Sequence, residues 1–80
     1  MQGKVVSRNI SPIKGNLILT MTVGEGKEQK TVNSSLSKEQ VAMVQLIGGS
    51  VPRVGETVNC EYTVNPGTGQ QSDQWVTVSI

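Results

Sequence analysis

Seven cations and a single tryptophan hold most of the chemistry open to this chain of 80 residues. Five of the cations, Lys4, Arg8, Lys14, Lys27 and Lys30, fall within residues 1–30, against Glu25 and Glu28. Residues 31–80 carry Lys38 and Arg53 against Glu39, Glu56, Glu61 and Asp73. A net charge of +1 therefore conceals one part at +3 and another at −2. Clustered lysines suit phosphate oxygens, which they hold without regard to sequence. The flat face of Trp75 suits stacking on a base, at roughly 1–3 kcal/mol per stacked base. An ordinary solubilising surface would leave the same mild charge bias.

Catalytic patterns are missing. The chain has no His and one Cys, so metal sites and His-based catalysis lose their usual groups. There is no P-loop and no nucleophile elbow. Gly24-Glu25-Gly26 lacks the third glycine and the following helix of a nucleotide fingerprint, and reads as a hairpin turn. The acidic residues stand singly. No enzyme activity, cofactor, metal or small-molecule substrate is expected. Cys60 cannot form an intrachain disulfide and reads as a small buried hydrophobe. No run approaches 18 apolar residues, and the N-terminus lacks the apolar centre of a signal peptide, so a soluble cytoplasmic protein is the expectation.

The elements that must position these groups follow from hydrophobic period. Gly3 to Ile10 reads as a strand centred on Val5 and Val6, and Ser11 to Asn16 as a turn holding Lys14. In Leu17 to Val23, Leu17, Leu19, Met21 and Val23 alternate with Ile18, Thr20 and Thr22, which predicts a strand with the first set in the core. Gln29 to Ser34 reads as a weaker strand, with an edge position or an exposed face, because Val32 is its one strong apolar residue.

A helix follows. Ser37 and Gln40 form an S-x-x-Q capping box, and Leu36 and Val41 have the spacing of a hydrophobic staple. Gly48 and Gly49 end it after about ten residues. Val41, Ala42, Met43, Val44, Leu46 and Ile47 form no single stripe, which predicts a largely buried helix plugging the end of a barrel.

Thr57 to Val64 alternates, with Val58, Cys60, Tyr62 and Val64 on the apolar face. Asn65 to Asp73 reads as a mobile loop, and Gln74 to Ile80 as the last strand, with Val76, Val78 and Ile80 inward. Trp75 then faces outward. Three explanations are open: it stacks on a base, it anchors a subunit interface, or a bulge lets it cap the core.

Three strands, one helix and two strands make a single domain, 1–80, with the plan of a small five-stranded OB-fold-like barrel. An SH3-like barrel and a β-grasp-like α+β fold are the alternatives. The outward set on the early strands is Ile18, Thr20, Thr22, Thr31 and Asn33, flanked by the five N-terminal cations.

In element order and length the chain resembles OB-fold proteins that bind single-stranded nucleic acid, including the small DNA-binding proteins of bacteriophages. The resemblance is architectural and covers essentially the whole sequence. It implies non-enzymatic binding of single-stranded DNA or RNA with little sequence preference, and a homodimer or higher oligomer. The residues it would use are Lys4, Arg8, Lys14, Ile18, Thr20, Lys27, Lys30, Thr31, Asn33 and Trp75. Scarce aromatics and weak net charge favour a different class, a protein-interaction module such as a small phage-type inhibitor or assembly subunit, with Trp75 and Ile18 in an interface.

Overall fold

The computed structural model describes residues 1–79. Strands β1 (Gln2–Ile10), β2 (Leu17–Val23) and β3 (Lys30–Leu36) form an antiparallel meander. The helix α1 (Lys38–Leu46) follows, then β4 (Thr57–Val64) and β5 (Gln71–Val78). The sheet closes in the order β1-β2-β3-β5-β4, so β4 returns to β1 and β5 lies parallel to β3. A closed five-stranded barrel with one short helix between its third and fourth strands is the OB-fold-like arrangement.

The core is aliphatic because the chain has no Phe to fill it. Val5, Leu17, Leu19, Met21, Val23, Val32, Leu36, Cys60, Val76 and Val78 are buried together. All four alternating residues of β2 are inside, as their period predicts. Gly3 is also inside. A Cβ there would stand 3.3 Å from both Cys60 Sγ and Val23 Cγ1, so β1 crosses the core where a side chain has little room. At the β2–β3 connection Gly24 has φ +81, and a Cβ would meet the Glu28 carbonyl oxygen at 2.7 Å. Glycine fits there because it has neither the conformational penalty nor the clash.

β1 contains a bulge. Val5 pairs with Met21 and Ser7 with Thr20, leaving Val6 without an opposite number and exposed. Hydrogen bonds from the Val5 N–H to the Glu56 oxygen (2.9 Å) and from the Gly55 N–H to the Val5 oxygen (2.8 Å) hold it. Beyond the bulge the alternation is reversed, and Arg8 and Ile10 fall opposite the inward-facing Leu19 and Leu17.

Several expectations are corrected. β3 runs two residues further than predicted and is not an edge: it pairs with β2 along its length and meets β5 at Asn33 and Trp75. Val32, Ser34 and Leu36 all turn inward. α1 begins at the predicted cap, with Gln40 N–H donating to Ser37 Oγ (3.1 Å) and Ser37 N–H to Gln40 Oε1 (2.8 Å). It is not largely buried. Val44 is covered, Val41 packs on the core, and Met43, Leu46 and Ile47 are exposed. A nine-residue helix has about two and a half turns, so one narrow stripe reaches the barrel. Val51, after the helix, joins the core instead.

Val64 is exposed, because the β4–β5 register shifts between Tyr62 and Val64. β5 starts at Gln71, earlier than predicted, which shortens the preceding loop to 65–70. Val76 and Val78 are inward as expected, and Ile80 lies outside the described residues.

Candidate functional site

Residues paired across a sheet share a face, so the strand registers define what the barrel presents outward. Three rows cross β1, β2 and β3. Lys4, Thr22 and Thr31 form the first, Ser7, Thr20 and Asn33 the second, and Asn9, Ile18 and Ser35 the third. The second row continues onto β5, where Trp75 is the parallel partner of Asn33. Rows on one face of a strand recur every second residue, roughly 6.6 Å apart.

The middle row is internally bonded. Thr20 Oγ1 donates to Asn33 Oδ1 at 2.9 Å, which fixes the amide and aims its NH2 group away from Thr20. Trp75 is 44% exposed, so its ring is open to contact beside that pair. Its backbone is held at three points: its N–H donates to Ser72 Oγ (3.0 Å), its carbonyl accepts from Thr63 Oγ1 (3.3 Å), and it bridges to Asn33. Trp75 therefore faces outward without capping the core.

Of the ten residues predicted as a site, Lys4, Ile18, Thr20, Thr31, Asn33 and Trp75 share this outer face. Lys14 lies in the β1–β2 turn and Lys27 in the one-turn helix Gly26–Glu28 that joins β2 to β3. These two sit at opposite ends of the strands.

Arg8 and Lys30 do not join the face. The bulge at Val6 moves Arg8 to the inward register, at the barrel end where α1 sits. Lys30 pairs with the buried Val23, and so also belongs to the inward register, at the other end of β3. Its ammonium lies 5.4 Å from the centroid of the Tyr62 ring, a cation–π distance. Tyr62 packs partly against the core and partly under this lysine.

The face is thus less basic than the sequence suggests. Lys4 is its cation, with Lys14 and Lys27 at its ends and Glu25 and Glu28 beside Lys27. Hydroxyls and amides dominate, groups that can donate to phosphate and sugar oxygens or to base edges. Ser7 and Asn9 belong to the face and escaped the sequence reading. The bulge at Val6 puts them there, and Val6 itself stays exposed, so no apolar pattern in the strand marks its place.

Among the described residues no group of three or more His, Cys, Asp or Glu is arranged to hold a metal, and no helix is long and apolar enough to cross a membrane. Cys60 is buried, and burial pushes its thiol pKa up, with the nearby N-terminal ammonium pulling it partly back. A raised pKa keeps the thiol protonated and unreactive. Comparison with protein-family models, curated proteins and solved structures finds no match to the chain.

Proposed function

We propose that this chain is a non-enzymatic module that binds single-stranded DNA or RNA with little sequence preference across the outer face of β1, β2, β3 and β5. The observation that carries this reading is the row Ser7–Thr20–Asn33–Trp75, a polar track ending on an exposed indole. In the proposed complex one base stacks on Trp75, and the hydroxyls and the Asn33 amide bond to phosphate, sugar or base edges. Lys4, Lys14 and Lys27 hold phosphates. The OB-fold-like topology supports the reading, since that architecture binds oligonucleotides across its second and third strands. With one aromatic group on the face, affinity rests on few stacking contacts and is modest.

The test is a titration of fluorescently labelled oligothymidine of about fifteen nucleotides, at about 50 mM and about 200 mM salt. Binding at the lower salt that weakens steeply at the higher one is the expected result. Absence of binding at about 50 mM salt refutes the proposal.

A second reading, a protein-interaction module, is favoured by a separate observation. Ile13, Leu46, Ile47 and Met43 are exposed at one end of the barrel, at 89, 87, 74 and 65%. Met43, Leu46 and Ile47 follow one another at helical spacing along α1, and large apolar groups left exposed in this way mark contact surfaces. A partner captured from lysate that survives nuclease treatment supports this second reading, and one that disappears supports the first.

A further inference from the structure

Two adjoining hollows lie between α1 and the end of β1. One, of about 280 Å3, is lined by Ile10, Leu17, Val41 and Ala42, with Arg8 and Lys38 among them. The next, of about 270 Å3, shares Arg8, Val41 and Gln45 with the first and adds Val51 and Arg53. The shared residues make the two hollows one groove, open to solvent along the helix. The first hollow has an aliphatic floor, and the second, with Gln45, Ser50 and Arg53 in its lining, is more polar. Lys38 borders the first hollow, Arg53 the second, and Arg8 both. No Asp or Glu lines either one.

The position of Arg8 requires a cause. An unbroken strand would carry it to the outer face, because Val5 is inward and Arg8 lies three residues on. The bulge at Val6, bonded to Gly55 and Glu56, directs it into the groove. Bulges recur where a side chain must be re-aimed. Leu17 and Val41, which line the first hollow with Arg8, offer it no carboxylate.

We propose that this groove docks an acidic peptide segment of a partner protein, with carboxylates on Arg8, Lys38 and Arg53 and an apolar side chain on the floor between them. Charge complementarity selects this occupant. A second copy of the chain placed face to face by a twofold axis would oppose the same three cations, and like charges across an interface are costly. The lining has no aromatic group on which a base could stack, which disfavours a nucleic acid strand. An open groove cannot enclose most of a small ligand's surface, whereas it suits an extended or helical peptide. The inference is independent of the nucleic-acid reading, because the groove and the outer-face rows share no residue. It is a site separate from the exposed apolar residues that favour the second reading, none of which lines it.

The test pans a phage-displayed random dodecapeptide library on the full chain, with counter-selection on the double variant Arg8→Glu, Lys38→Glu. Peptides with at least two acidic residues and one large apolar residue should be enriched. A labelled synthetic copy of the leading peptide should bind the wild type and lose about tenfold in affinity on the double variant. Lys38→Glu alone guards against misfolding, because an acidic side chain suits the first turn of a helix, and it should weaken the peptide in the same direction. Three outcomes overturn the proposal: no enrichment; enriched peptides without acids; or equal binding to the double variant. Loss of oligothymidine binding in the double variant, with the peptide unaffected, would assign the groove to nucleic acid and overturn it too.

Discussion

Asn33 and Trp75 are partners in the parallel pairing that joins β3 to β5, and Thr20 bonds the Asn33 amide from the other side. This pairing ties the exposed indole to the polar rows of the meander. If Trp75 stacks a base, Trp75→Ala removes about 1–3 kcal/mol of binding. Oligonucleotide affinity should fall by about 5- to 150-fold while the salt slope stays unchanged, because no phosphate contact is lost. Trp75→Phe should recover part of the loss. Anisotropy titrations of the three proteins over a salt series give both quantities.

The lysines should divide into two groups. Lys4→Gln, Lys14→Gln and Lys27→Gln should each weaken binding to every oligonucleotide by a similar factor and lower the salt slope by roughly 0.7, the single-strand value per phosphate. Lys30→Gln should leave the slope in place. Its ammonium lies over Tyr62, so its loss should cost about 0.5–1 kcal/mol of stability instead. Thermal melts beside the titrations separate the two effects. A slope change for Lys30→Gln as large as that for Lys4→Gln would contradict the placement.

The order of elements was legible because alternation in β2 and β4 is strong and the capping box at Ser37 and Gln40 is local chemistry. What could not be read depends on contacts between strands. One extra residue at Val6 reverses the faces of Arg8 and Ile10, and nothing in the strand's composition fixes where that residue is inserted. Lys30 reads as a turn lysine until β4 places Tyr62 beneath it. The exposure of α1 is not legible in sequence, because apolar residues without a single stripe suit burial on all sides as well as contact along one. The barrel end is filled by Val51 together with Val41, which leaves Leu46 and Ile47 outside. Four of the six predicted residues on the outer face lie on β2 and β3 and follow from simple alternation; Trp75 follows from the same rule applied to β5.

The helix cap gives a stability test independent of function. Ser37→Ala removes the acceptor for the Gln40 N–H and should cost about 0.5–2 kcal/mol. Ser37→Asp should retain most of the stability, since a carboxylate accepts the same bond. Denaturant melts of the three proteins decide it. An Ala variant as stable as the wild type would mean that the capping bond contributes nothing.

Cys60 predicts a pH dependence. Burial holds its pKa above the ordinary 9.0, so the folded state retains the thiol proton more tightly than the unfolded chain. That contribution is complete below the unfolded value and is lost as pH rises through the folded one. The stability gap between wild type and Cys60→Ala should therefore be constant below about pH 8 and narrow above about pH 9. A gap that stays constant to about pH 10.5 would contradict the burial of the thiol.

The most direct measurement of the central claim is an amide chemical-shift map of the chain titrated with oligothymidine of about fifteen nucleotides at low salt. The account predicts shifts concentrated at Lys4, Thr20, Thr22, Thr31 and Asn33, with the Trp75 indole N–H among the largest, and little change along α1. Shifts confined to α1 and the end of β1, or none at saturating oligonucleotide, would contradict it.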